Sequence, residues 1–232
     1  MGSISRRAAI IGGGGGAVLA AAAALTWDKT SRLWWRLPGV DKPRKSGEVD
    51  QPGVSWIAAS EANLRFADRP DDYVIDRVVI HVTQSDFRTA VKVFRDPLHA
   101  SAAHYIVRAS DGRTVQMVRE LDVAYHAGNR GYNERSIGIE HEGFVDRPQN
   151  FTEEMYRSSA ELTARICERY RIPVDREHII GHNEVPGADH TDPGRHWDWK
   201  RYMSYVRQAR DGSSQSAGNS GGSGSSGGSG KS

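Results

Sequence analysis

The two ends of this 232-residue chain have compositions that cannot build a folded core, and this limits the possible fold more than any other feature. Residues 3–26 are a weakly apolar, Gly/Ala-rich segment, and the chain from Asp211 onward is almost wholly Gly and Ser. A Gly/Ser segment cannot bury enough apolar surface to offset its loss of conformational entropy. The remaining residues, 52–210, are enough for one domain with a single hydrophobic core.

Short β-branched runs alternate with helical patterns in this central segment. Residues 78–82 are typical of a buried strand, and the apolar residues between 87 and 94 have the spacing of one helix face. The turn signal Asp111-Gly112 predicts a hairpin around it. Further patterns predict a strand over 136–143, a helix over 153–170 and a short strand over 178–180. We therefore predict an α/β fold, a single domain with a central mixed β-sheet flanked by helices.

The beginning of the chain resembles an export signal. Arg6 and Arg7 precede a glycine-rich apolar segment and a small-residue cleavage site, as in signals of the twin-arginine route. The alternative is an uncleaved membrane anchor over residues 8–27, which five consecutive glycines disfavour. We expect export by the twin-arginine machinery, to the cell exterior or wall, or to the periplasm of a cell with two membranes. The expected segments are a signal peptide (1–26), a spacer (27–51), the folded domain (52–210) and a disordered tail (211–232).

Charge and cysteine content exclude several classes of site. The formal net charge is +2, with acidic and basic residues interspersed, so we expect no nucleic-acid partner. The single cysteine, Cys167, excludes an intrachain disulfide and a multi-cysteine zinc site. We expect the protein to be a monomer.

His81, His182 and Asp192 supply the ligand types of an open catalytic metal site. His81 ends one predicted strand, His182 follows another, and Asp192 lies in a loop ten residues further on. Neighbouring strands are about 4.8 Å apart, so ligands at adjacent strand ends can converge on one ion. Three protein ligands leave a position for water, and zinc lowers the pKa of that water to about 7. Ferrous iron is the alternative metal, but export and the hydrolase-like surroundings favour zinc.

Six short blocks carry the most specific signal in the chain. They are Ile80-His81-Val-Thr83, Ser101-Ala-Ala-His104-Tyr-Ile-Val, Tyr125-His126-Ala-Gly128-Asn129, Ser136-Ile-Gly-Ile-Glu140, Gly181-His182-Asn-Glu-Val, and His190-Thr-Asp192-Pro-Gly followed by Trp197-Asp-Trp. In this order and spacing, over roughly residues 52–206, the chain resembles the zinc-dependent N-acetylmuramoyl-L-alanine amidases of the type-2 amidase and peptidoglycan-recognition-protein family.

The resemblance implies an activity and a set of roles. The activity is hydrolysis of the amide bond between the lactyl group of N-acetylmuramic acid and L-alanine in peptidoglycan stem peptides. Glu140 would be the general acid/base, and His190 would assist the oxyanion at a position where members commonly have lysine. The implied ligands of one zinc ion per chain are His81, His182 and Asp192.

The loop His126-Ala-Gly-Asn129 contains two candidates for holding peptidoglycan or a muropeptide, His126 and Asn129. We assign four further residues structural or surface positions, namely His99, His141, Glu142 and His178. The rival function is a noncatalytic peptidoglycan-binding module of the same fold, which would lack a metal ligand, whereas this chain keeps all three and Glu140. A phage-type lysin would need no export signal, so the signal favours a cell-wall remodelling enzyme. Intact wall and soluble anhydro-muropeptides both stay open as substrates.

Overall fold

Strands and helices alternate along residues 48–219, the part of the chain that this computed structural model describes, with side chains up to residue 212. The strands in this range are β1 (Ser55–Trp56), β2 (Leu64–Arg65), β3 (Arg77–Val82), β4 (Tyr105–Val107), β5 (Thr114–Gln116), β6 (Val123–Ala124), β7 (Ser136–His141) and β8 (Ile179–Gly181). The α-helices are α1 (Phe87–Arg95), α2 (Arg130–Arg135), α3 (Glu153–Tyr170) and α4 (Trp199–Asn219). The predicted export signal lies outside the described residues.

A six-stranded mixed sheet forms the centre, in the order β1-β5-β4-β7-β3-β8. The hairpin β4–β5 is antiparallel, as the Asp111-Gly112 turn predicted, and the other neighbours in this sheet are parallel. Strands β2 and β6 form a separate antiparallel pair. The predicted fold, a central mixed sheet flanked by helices, is confirmed.

The long helices cover one face of the sheet. Helix α3 begins where its N-cap Thr152 accepts a hydrogen bond from the backbone N–H of Met155. Helix α4 packs on α3 through Tyr202, whose hydroxyl bonds the hydroxyls of Ser159 and Thr163. Their apolar sides share a core with alternate residues of the central strands, namely Val78, Ile80, Ile137, Ile139 and Ile179.

Helix α1 covers part of the other face. Its N-cap Asp86 accepts from the backbone N–H groups of Arg88 and Thr89, and the predicted apolar stripe packs on Ile106 and Val115. Because side chains alternate along a strand, the residues of β7 between the core isoleucines point to this same face. Glu140 therefore lies on the face that α1 only partly covers.

Two predicted boundaries differ from the structure. Asp50 and Gln51, assigned to the spacer, bond to the domain: Asp50 pairs with Arg119 at 2.9 Å, and the Gln51 amide donates to Glu120 at 2.8 Å. Helix α4 continues to Asn219, nine residues into the predicted disordered tail. Adding a residue to a packed helix costs far less than starting one, so even Ser and Gly residues extend it.

Among residues 48–219, none of the helices is long and apolar enough to cross a bilayer.

Candidate active site

Three residues from separate elements meet at the carboxyl ends of the parallel strands. His81 lies near the end of β3, His182 directly follows β8, and Asp192 comes from the loop before α4. One ligand atom from each residue can be chosen such that all three atoms lie within 4.8 Å of one another, and all three residues are buried. The structure thus brings together the three predicted metal ligands.

Asp192 occupies the centre of this group. Its two carboxylate oxygens lie 3.2 Å from Nδ1 of His81 and 3.2 Å from Nδ1 of His182. The backbone N–H of Val82 donates to the same carboxylate at 3.3 Å, which ties the loop to β3. Burial opposes ionisation, but the adjacent side chains of His182 and His81 hold the pKa of Asp192 well below its usual range. The carboxylate is therefore ionised at neutral pH.

Glycine at position 181 lets the loop that carries Asp192 approach the end of β8. A Cβ atom there would lie 2.6 Å from Cδ of Pro193 and 2.5 Å from Oδ1 of Asn183. Any side chain at 181 would push away the loop that carries Asp192.

Glu140 lies beside His81, because β3 and β7 are parallel neighbours with these two residues in register. Its Oε2 atom is buried and has no hydrogen-bond partner among the described residues. Burial, and then the nearby Asp192 carboxylate, raise the pKa of Glu140 well above its usual range. A buried carboxyl group with a raised pKa and an unused oxygen is suited to exchanging a proton with a substrate or water.

His190 lies at the exposed edge of the group. Its ring stacks on that of His182, with centroids 4.5 Å apart, and its Nδ1 is 3.6 Å from an Asp192 oxygen. It lines the same cavity as Glu140 and the three predicted ligands, a cavity of about 910 Å³. This position is compatible with a donor to a bound substrate.

His126 and Asn129 make contacts that differ from those expected. Both ring nitrogens of His126 are occupied: Nδ1 lies 2.9 Å from Nε2 of His81, and Nε2 lies 3.1 Å from the hydroxyl of Ser136. Asn129 caps α2 by accepting from the backbone N–H of Tyr132, and its amide donates to a loop carbonyl. His126 also lines the cavity. Their predicted role in holding substrate is not tested by these contacts and stays a prediction.

The structural positions assigned to His141 and Glu142 are confirmed. His141 is fully buried on the helix-covered side, between the backbone carbonyl of His81 and the hydroxyl of Ser159. Glu142 accepts from the backbone N–H groups of Phe87 and Ala109.

Ser136 and Gly138 adjoin His126, and the sequence contains a signal for this. In the block Ser136-Ile-Gly-Ile-Glu140, the first, third and fifth residues share one face of a strand. Glu140 is on the cavity, and a Cβ atom at Gly138 would lie 2.6 Å from Cγ of His126. The alternation of the predicted strand therefore places Ser136 and Gly138, which adjoin His126, on the same face as Glu140.

The donor set fits zinc. Two imidazole nitrogens and one carboxylate are ligands that zinc takes in catalytic sites, and they converge here without any rearrangement of the backbone being needed. The predicted zinc dependence thus has a matching set of residues.

Comparisons with known proteins agree with this fold. The Amidase_2 family model, described as N-acetylmuramoyl-L-alanine amidase, matches residues 71–195. N-acetylmuramoyl-L-alanine amidase A of Achromobacter lyticus is 30% identical over 175 residues, which cover 68% of this chain and 96% of that protein. A crystal structure of a selenomethionine AmpD derivative has a TM-score of 0.56 and 25% identity, covering 68% of this chain and 99% of that one.

A further solved structure is a complex. The E. coli amidase AmiD, bound to the substrate anhydro-N-acetylmuramic acid-L-Ala-D-γ-Glu-L-Lys, has a TM-score of 0.50 and 26% identity. The match covers 56% of this chain and 57% of AmiD. The fold and the site thus define a hydrolase of the amidase class. The chain belongs to the Amidase_2 family of N-acetylmuramoyl-L-alanine amidases, which confirms the family and the enzyme class expected from its sequence.

Proposed function

We propose that this protein is an exported zinc amidase. It hydrolyses the amide bond between the lactyl group of N-acetylmuramic acid and L-alanine in peptidoglycan or in muropeptides released from it. The observation that carries this proposal is the buried group of His81, His182 and Asp192, with the unpartnered carboxylate of Glu140 beside it. The complex of the related AmiD with an anhydro-muropeptide supports the substrate class.

The metal would be held by Nδ1 of His81, Nδ1 of His182 and the carboxylate of Asp192. A zinc ion bound there supplies a Lewis acid that polarises the substrate carbonyl and lowers the pKa of water. Asp192 is ionised and contributes the one negative charge among the three ligands, which keeps the site cationic when it is loaded.

Glu140 moves the proton. With its pKa raised by burial, the carboxyl group can accept a proton from the attacking water and return it to the departing amine of L-alanine. Its position in register with His81 places it next to the proposed metal ligands. The side chain makes no competing hydrogen bond at Oε2 within the described residues, so this oxygen keeps its full capacity to accept a proton.

His190 supports the charge that develops on the carbonyl oxygen. It lines the cavity, stacked on His182, and a ring N–H directed into the cavity would donate to the oxyanion. Because this side chain is exposed, substrate can contact it without displacing core residues.

Export by the twin-arginine machinery completes the proposal. Its support is the sequence Ser5-Arg6-Arg7-Ala8 and the apolar segment that follows. A twin-arginine substrate crosses the membrane folded, so a metal site could be filled before export. The exported protein would then act on the wall or in the periplasm.

Mass analysis of digested peptidoglycan tests the activity. Purified wall or anhydro-muropeptide is incubated with zinc-loaded protein, and His182→Ala serves as the matched negative control. The proposal predicts free stem peptides that begin with an unblocked L-alanine, and glycan that keeps its lactyl groups. Binding without cleavage would instead indicate a noncatalytic recognition module, and cleavage at a different bond would also contradict the proposal.

A further inference from the structure

We propose that His126, Ser136 and the backbone carbonyl of Tyr132 form a relay that fixes which ring nitrogen of His81 carries the proton. In this account His126 is a positioning residue for a metal ligand. The inference rests on the proposed function, because it concerns the same zinc site. It is carried by three consecutive hydrogen bonds between side chains and backbone behind His81.

The relay begins where α2 joins β7. The hydroxyl of Ser136 donates to the carbonyl oxygen of Tyr132. A serine hydroxyl has one hydrogen, so towards His126 this oxygen can only accept. The ring nitrogen it contacts, Nε2 of His126 at 3.1 Å, must therefore carry a proton.

The direction of the hydrogen bond between Ser136 and His126 sets the direction of the one between His126 and His81. A neutral imidazole with a proton on Nε2 has an unprotonated Nδ1, which accepts. Nδ1 of His126 lies 2.9 Å from Nε2 of His81, so Nε2 of His81 donates. In the neutral ring of His81 the other nitrogen, Nδ1, then has a free lone pair, and Nδ1 is the atom that faces Asp192.

The surroundings hold His126 in place. The ring is buried, with His81 at one ring nitrogen and Ser136 at the other. Gly138 provides the space, since a Cβ atom there would lie 2.6–2.9 Å from three atoms of the ring. Ring and glycine therefore fit each other closely, and the ring has little freedom to turn.

The two histidine ligands are supported differently. His81 has its distal nitrogen held by the relay, whereas Nε2 of His182 is buried without a hydrogen-bond partner among the described residues. A second hydrogen bond on a ligating histidine orients the ring, and losing it commonly reduces metal affinity by about 10–100-fold. The relay should thus make His81 the pre-oriented ligand of the pair.

Zinc affinity, measured on the purified protein by competition with a chromophoric chelator, tests the relay without using activity. We expect His126→Ala to raise the zinc dissociation constant by about 10–100-fold. His126→Asn places an amide oxygen near the position of Nδ1, so it should recover most of that loss. An unchanged dissociation constant in His126→Ala, or equal losses in the two variants, would overturn the proposal.

A double-variant cycle separates the relay from ordinary packing. Ser136→Ala removes the acceptor that sets the tautomer of His126, and it should weaken zinc binding in the wild-type background. In the His126→Asn background it should have no effect, because the shorter side chain has no group for Ser136 to accept from. A loss of the same size in both backgrounds would show that Ser136 acts only through the fold.

Thr163→Val is the matched control, since it also removes a buried hydroxyl, one that bonds Tyr202 between α3 and α4. It should lower thermal stability and leave zinc affinity unchanged. If it weakens zinc binding as much as Ser136→Ala does, the effect of Ser136→Ala is not specific.

Nitrogen NMR of ¹⁵N-histidine in the zinc-loaded wild-type protein reads the tautomer directly, even if variants fail to fold. The relay predicts a proton on Nε2 of His126 and none on Nδ1, and a proton on Nδ1 would overturn it. The outcomes also separate the two proposals: a wild-type protein that binds no zinc contradicts the proposed function. A wild-type protein that binds zinc and cleaves substrate, with a protonated Nδ1 on His126, contradicts only the relay.

Discussion

Acidification should destabilise the zinc-free protein, and His141 provides the part of this effect that is easiest to isolate. The side chain is fully buried, with Nδ1 2.8 Å from the backbone carbonyl of His81 and Nε2 2.7 Å from the hydroxyl of Ser159. Burial lowers its pKa from the ordinary 6.5 to about 3. In the folded protein the ring therefore stays neutral down to strongly acidic pH.

The sign of the effect follows from proton binding. Between pH 6.5 and about 3 the unfolded chain binds a proton at this residue and the folded protein does not, so the free energy of unfolding falls as the pH falls. At pH 5 the unfolded side chain is about 1.5 pH units below its ordinary pKa, and each unit corresponds to about 1.4 kcal/mol. His141 should thus lower the stability by about 2 kcal/mol between pH 7 and pH 5.

Urea denaturation of chelator-treated protein at several pH values measures this loss. Chelation removes the separate pH dependence of zinc binding. His104 and His126 are also buried with lowered pKa values. They therefore add to the slope of the free energy of unfolding against pH in the wild-type protein. His141→Asn keeps a donor near Nδ1 and does not titrate, so its slope should be shallower by up to about 1.4 kcal/mol per pH unit. Equal slopes for the variant and the wild-type protein would refute the reasoning.

Three further substitutions test the proposed roles and the proposed export. Glu140→Gln should keep zinc but lose about 10²–10⁴-fold in amidase rate, because proton transfer is removed; a near-normal rate at full zinc content would exclude Glu140 as the acid/base. His190→Ala should also keep zinc and lose about 10²–10³-fold if the ring donates to the oxyanion, whereas unchanged kinetics would make it a bystander. The double change of Arg6 and Arg7 to lysine should leave the protein in the cytoplasm on cell fractionation, and normal export would refute the signal.

Elements with strong local patterns could be predicted from the sequence. The β-branched run of β3, the hairpin around Asp111-Gly112 and the capped helix α3 depend mainly on residues close together in the chain, and all are found where expected. The ordered blocks around His81 and His182 indicated the family and the candidate metal ligands. No single block would have been enough, since each alone is short.

The parts that the sequence did not predict depend on contacts between distant residues. Asp50 joins the domain through Arg119, which is 69 positions away, and no local pattern indicates this pair. The contact of His126 with His81 depends on the placement of a loop beneath β7, and on the absence of a side chain at Gly138. The substrate contact predicted for His126 is not tested by the structure, whereas its contact with the candidate ligand His81 becomes visible only in three dimensions.

Returning zinc to chelator-treated protein, while following the release of stem peptides from a muropeptide, tests the central claim most directly. The account predicts that activity rises in proportion to bound zinc and saturates at about one ion per chain, the number that one site with three protein ligands can hold. Full activity in the zinc-free protein, or activity restored by iron and not by zinc, would contradict it.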